Sequence, residues 1–278
     1  MQKHLHGFHP ISQTNRKGNG RLPRITSVRT FPEGFMTVDI TGHSMNIEGV
    51  ELYYEYTKSF SDRLTIVIES GYGWDLTNWN TIRDDVSSFA NVFLYDRDGI
   101  GRSGRSNKPK HSMQIIKNLR NLLMKAGVKP PYLLVGHSFG GVNVRLFANL
   151  YPEEVAGVML LEAVHEEQNK KMVPLFAQNV QREYYGQFTV EASLEEFEES
   201  LEQVKGIDLG RTPLLVITGG SQPHHTTHSM DQWMTFQKQL ASLSTRSNHL
   251  ILHDAGHAVH IDEPHLVIHA IEEMVSKL

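Results

Sequence analysis

The stretch LLVGHSFGG, Leu133 to Gly141, decides the fold. An apolar run that reads as a strand stops at Gly136, and a serine stands two residues later between a histidine and a phenylalanine. Gly140, Gly141 and a helix-like pattern follow. Gly136-His137-Ser138-Phe139-Gly140 fits G-x-S-x-G, with the strand before it and the helix after it that a nucleophile elbow requires. A turn this tight needs small neighbours. Gly136 and Gly140 supply the space, and Gly141 is expected to let the helix pack close to the strand. The turn exposes the Ser138 hydroxyl and points a helix N-terminus, with its free N–H groups and partial positive charge, towards it.

Around this turn, strand-like and helix-like segments alternate, which predicts a mainly parallel sheet covered by helices. Strand candidates are 35–41, 51–57, 64–70, 91–96, 132–136, 157–162, 213–218 and 249–254, several of them continuous apolar runs expected of strands buried on both faces. Helical stripes are formed by Ile115, Ile116, Leu119, Leu122 and Leu123, and by Val142, Leu146 and Phe147. A last helix is expected to start near Asp262 as N-cap, with Pro264 in its first turn. Residues 163–210 break the alternation. They are polar and helical in tone, with an acidic run from Glu191 to Glu202, and they follow the carboxyl end of a strand, where α/β sheets bind ligands. They are read as a short cap inserted into one domain spanning 35–278.

The 278 residues suffice for a sizeable core. A net charge of −4 gives no general case for binding nucleic acid or an anionic membrane. With no cysteine, disulfides, thiolate metal sites and a cysteine nucleophile are excluded. The Cys-free composition suits a reducing compartment, and a cytoplasmic location is expected. No apolar run approaches the roughly 18 residues of a membrane span, and no secretory signal core is evident. Residues 1–34 are expected to form a mobile arm, basic because residues 1–30 carry six Lys or Arg and no acid.

Taken together, the elbow, YDRDGIGRSG (Tyr95–Gly104), ESGYGWDLTNW from Glu69 and AGHAVHIDEP (Ala255–Pro264) resemble the α/β-hydrolase superfamily in its serine esterase-like branch, from about Phe35 to Leu278. The resemblance implies a Ser138 nucleophile and makes His257, in the A-G-H motif, the base. Family members commonly carry an aspartate just beyond the strand that here reads PLLVITGG, but Ser221, Gln222 and Pro223 stand there. A known variant places the acid at the end of the preceding strand, which points to Glu162. Asp231 is the second choice and Asp254 a third. Asp96 precedes the serine and breaks the chain order, and Asp208 precedes its strand. The oxyanion donors implied are the backbone N–H groups of Phe139 and Tyr72.

Weaker patterns are discounted. Gly99 to Gly104 fits G-x-G-x-x-G, but a loop follows where a dinucleotide needs a helix. His224 and His228 at i, i+4 lack a third ligand. Trp74, Trp79 and Trp233 are pocket or packing residues, and His260 is given no role. The expected activity is hydrolysis of a small ester-like substrate through an acyl-enzyme, without cofactor or metal. The rival is a ligand-binding signalling protein on the same fold with a slow or vestigial triad. The bond type within the ester-like class and the oligomeric state are not legible.

Overall fold

A computed structural model describes residues 42–60 and 63–278. The strands are β1 (Gly42–Ile47), β2 (Val50–Thr57), β3 (Thr65–Glu69), β4 (Asn91–Tyr95), β5 (Tyr132–His137), β6 (Val155–Leu161), β7 (Leu214–Gly219) and β8 (Ser247–Leu252). The helices are α1 (Asn80–Ser87), α2 (Ser112–Lys125), α3 (Phe139–Leu150), α4 (Gln178–Gly186), α5 (Leu194–Gln203), α6 (Thr227–Ala241), α7 (Val259–Asp262) and α8 (Pro264–Ser276). The described strands form one sheet in the order β1-β2-β4-β3-β5-β6-β7-β8. β1 and β2 run antiparallel to each other, β2 runs antiparallel to β4, and every pairing from β4 to β8 is parallel.

The continuous apolar runs arise because the central strands are covered on both sides. Tyr132 and Leu134 of β5 enter one apolar layer, with Ile116, Leu119 and Leu122 of α2. Leu133 and Val135 enter the opposite layer, with Val86 of α1 and Val267 and Ile271 of α8. Period-two alternation divides one apolar run between two cores. Truncating Leu134, which is fully buried, would cost about 2–5 kcal/mol in lost transfer energy and cavity formation.

The candidate strand 35–41 and the basic arm 1–34 lie outside the described residues. The antiparallel β1, at 42–47, escaped the sequence reading because four of its six positions face solvent. The last helix also differs. Asp262 closes the short α7, and Glu263 is the N-cap of α8, with Pro264 at its first position. The Asp262 carboxylate instead accepts the Gly256 N–H (2.8 Å) and so ties down the loop before α7. Residues 163–210 hold a π-turn at Gln168–Met172, a 3₁₀ turn at Val173–Leu175, α4 and α5. α5 begins with a capping box in which Ser193 and Glu196 satisfy each other's backbone N–H.

Candidate active site

Parallel pairing from β4 to β8 gathers the ends of β3, β5, β6 and β8 along one edge. Ser138 follows β5 directly, Glu162 follows β6, Tyr72 lies three residues past β3 and His257 five past β8. Ser138 adopts φ 53° and ψ −118°, a backbone conformation that costs a non-glycine residue on the order of 1–3 kcal/mol. Surrounding bonds hold it there. Its N–H donates to Leu161 O (3.0 Å), and its carbonyl accepts from Gly141 and Val164 (3.0 and 3.1 Å). A Cβ at Gly140 would lie 2.2 Å from the Glu69 carbonyl oxygen, so β3 and the start of α3 meet only through a glycine. Gly141 faces the segment after β6, where its Cβ would lie 2.4 Å from Ala163 Cβ. The glycine therefore makes room for that segment. Among the described residues, the Ser138 hydroxyl makes no hydrogen bond.

Glu162 also has positive φ, 49°, which turns the chain sharply off the strand end. Its carboxylate is fully buried and surrounded by donors. Oε1 accepts from Gly219 N–H (2.7 Å) and Trp233 Nε1–H (3.2 Å). Oε2 accepts from the Gln222 amide and from His257 Nδ1 (3.2 Å). A carboxylate only accepts, so Nδ1 carries the proton and the neutral ring keeps its lone pair on Nε2. Asp231 lies apart from this group. It is exposed within α6, where Thr226 is the N-cap, and it borders a separate surface hollow. Asp254 and Asp208 are exposed. Asp96 is buried and tethers the Leu76 and Arg102 amides (2.8 Å each).

Two further histidines lie beneath His257. His137 Nε2–H donates to the His257 carbonyl (2.8 Å) and fixes that loop. Its Nδ1 is buried without a partner among the described residues. His260 is fully buried, stacks on Trp79 at 4.1 Å between centroids, and has both ring nitrogens unpartnered among those residues. Burial, reinforced by His257, pushes the His260 pKa down to about 3 and His137 well below the usual histidine range. Both rings are neutral at pH 7. Trp79 is packing, with its N–H on Ser70 Oγ (3.0 Å).

The loop after β3 is clamped from below. The buried Arg97 donates to the carbonyls of Ser70 (2.7 Å) and Gly71 (2.6 Å) and pairs with Glu69 Oε2 (3.0 Å). It also pairs with both oxygens of Glu191, and Glu191 Oε2 accepts the Gly73 N–H (2.8 Å). Burial opposes the Arg97 charge, but Glu191 and Glu69 outweigh it and hold the guanidinium above the usual arginine range. The Tyr72 hydroxyl donates to Ala192 O (2.6 Å) and accepts from Glu191 N–H (3.1 Å). Phe139 opens α3, so its N–H has no acceptor within the helix.

Ser138, His257 and Tyr72 border one cavity of about 70 Å³. Trp74, Phe139 and Trp233 add apolar walls, and Val164, Gln168, Met172, Phe176, Tyr184 and Phe197 enter from the 163–210 segment. His224 and His225, in the turn before α6, also line it. Burial lowers their pKa values to about 3 and about 4. Among the described residues no cluster of three or more His, Asp or Glu could hold a metal. No described helix is long and apolar enough to cross a membrane. No local pattern signals the His224–His225 wall, because the turn before α6 that brings it to the cavity is a tertiary feature.

This edge of a mostly parallel sheet, with a strained serine between strand and helix, is the arrangement of the α/β hydrolases. A family model for the alpha/beta hydrolase fold matches residues 65–196. The uncharacterized protein YqjL of Bacillus subtilis is 32% identical over 231 residues, covering 82% of this chain and 89% of YqjL. The chain belongs to the α/β-hydrolase fold family. Among solved structures, a thermophilic esterase from Thermogutta terrifontis superposes with a TM-score of 0.61 at 19% identity, covering 85% of this chain and 98% of that one. An alpha/beta hydrolase fold protein from Chitinophaga pinensis gives 0.64 at 14% identity, covering 87% and 99%. At such identity both speak for the fold alone.

Proposed function

We propose that the protein is a serine hydrolase cleaving an ester-like bond of a small molecule. The observation that carries this reading is the His257–Glu162 contact beside the cavity onto which Ser138 opens. In the proposed reaction Ser138 Oγ attacks the carbonyl carbon while His257 Nε2 takes its proton. The Phe139 and Tyr72 N–H groups receive the developing oxyanion, and Glu162 stabilises the imidazolium. The tetrahedral intermediate collapses, His257 Nε2 returns the proton to the leaving alcohol, and an acyl-Ser138 ester remains. Water activated by His257 then releases the acid and restores the serine. Residues 163–210 serve as the cap that walls the acyl site off from solvent.

A fluorophosphonate probe read by intact mass tests this directly. The native chain should gain one adduct and hydrolyse short p-nitrophenyl esters. Ser138→Ala should do neither while keeping its circular dichroism spectrum. An unlabelled native chain would instead favour a ligand-binding protein with a vestigial triad.

A further inference from the structure

Gln168 lies 5% exposed in the cavity wall. Its amide oxygen is buried and has no hydrogen-bond partner among the described residues. The orientation of that amide is fixed by a chain of bonds with only one consistent polarity. At its outer end the Glu198 carboxylate can only accept, so the Asn169 amide presents Nδ2 to it (3.3 Å). Asn169 Oδ1 then faces Tyr184 and accepts from its hydroxyl (2.5 Å). With its proton committed, the Tyr184 oxygen accepts from Gln168 Nε2 (3.0 Å). Reversing the Gln168 amide would set its oxygen against that oxygen, whose proton points the other way. Gln168 therefore keeps its carbonyl end for something else, and an unmet buried acceptor costs about 1–3 kcal/mol.

The lining of the cavity narrows what that partner is. It includes no Asp, Glu, Lys or Arg, and burial keeps His224 and His225 neutral at pH 7. A charged group entering here would lose its water without finding a counter-charge. The volume of about 70 Å³ compares with the roughly 10–15 Å³ that one water-sized probe fills, so a group of about half a dozen non-hydrogen atoms fits.

We propose that Gln168 Oε1 is a specificity-determining acceptor that selects a small, uncharged substrate group bearing an O–H or N–H donor, such as a hydroxyacyl or carbamoyl group. This deepens the reading of the cavity as the substrate site and rests on it. The Glu198–Asn169–Tyr184 chain is the positioning part, since it makes Gln168 an acceptor and denies it the donor role.

The test is binding to the full chain carrying Ser138→Ala, so that turnover plays no part. Methyl glycolate and methyl propionate are near-isosteric and differ by a hydroxyl in place of a methyl, and the propionate carries no hydrogen-bond donor. NMR titration should find methyl glycolate bound roughly fivefold or more tighter, the effect of one net hydrogen bond. Adding Gln168→Met should abolish the preference. Adding Tyr184→Phe, which keeps the ring packing but frees the amide to turn over, should weaken it without removing Gln168. Equal affinities for the two esters, or a preference that survives Gln168→Met in a folded protein, would overturn the proposal. The hydrolase reading fails separately: a preference for methyl glycolate in a chain that takes up no fluorophosphonate keeps this inference and loses the enzyme.

Discussion

At Glu162, four donors converge on two oxygens that can accept all of them. An amide cannot do so. In Glu162→Gln, one end of the side chain turns an NH₂ towards groups that also donate. The expected result is a loss of turnover of about 10⁴, by analogy with other triads, together with lower stability from the unmatched donors. Asp231→Asn, at an exposed site in α6, should change turnover by less than about tenfold, which corresponds to roughly 1.4 kcal/mol. Steady-state kinetics and urea melts on both variants check this. The family variant that places the acid at the end of the preceding strand, together with chain order, was enough to make Glu162 the first candidate. What it could not convey was the convergence of Gly219, Gln222 and Trp233, which comes from β7 and α6 folding back over the end of β6. His260 teaches the opposite lesson. Beside the A-G-H motif it reads as a bystander, yet it is a buried neutral ring with two unmet nitrogens. His260→Phe should fold at pH 7 with little or no loss of stability, as measured by thermal melts.

At the scale of the element, the approach of β3 to α3 is a tight constraint. A methyl at Gly140 would meet the Glu69 carbonyl at 2.2 Å, a backbone atom that cannot swing away. Gly140→Ala should therefore destabilise the fold by about 1–3 kcal/mol or more and displace Ser138, with both losses visible in one melt and one probe-labelling assay. The loop after β3 rests on Arg97. Arg97→Lys keeps a charge but loses the fork that holds Ser70 O, Gly71 O and both carboxylates. Turnover should fall by at least about tenfold, with KM moving less than kcat if the Tyr72 N–H acts in the transition state. The glycines of the elbow were readable because a tight turn leaves few other choices. The Arg97 clamp was not, since its partners lie 26 to 94 residues away. Residues 168–175 were equally opaque. π and 3₁₀ turns carry no 3.6-residue period, and packing around the cavity determines them.

Across the whole molecule, buried histidines weaken the fold in acid, His165 (pKa about 4) among them, while the buried Glu69 and Asp96, raised by burial, act the other way. His137, His224, His225 and His260 are held neutral mainly by burial, with values of about 3 to 4 for the last three. In the unfolded chain each titrates near its ordinary value of about 6.5. Below that pH the unfolded state binds more protons than the folded one, so stability is complete above about pH 6.5 and is lost as pH falls towards 4. Each such ring contributes at most about 1.4 kcal/mol per pH unit in that window. Urea midpoints between pH 7 and 5 should drop steeply, and less steeply in His260→Phe. A flat profile would mean that these rings are already protonated in the fold. A mainly parallel sheet covered on both faces followed from the alternation of segments and the apolar runs, because burial on both faces is a strong, local signal, whereas the order of the strands did not. The balance among these histidines required all the loops at once.

One contact sets a limit on how this molecule can work. Glu191 sits in the segment above the cavity, yet it grips Arg97 and the Gly73 amide in the loop below. Any swing that lifts this part of the segment to admit a ligand must also break a buried ion pair and release the loop that carries Tyr72. Under the proposed function, such a swing would admit a ligand only while the loop that carries the Tyr72 donor was unlatched, so entry and chemistry would need separate states of one chain.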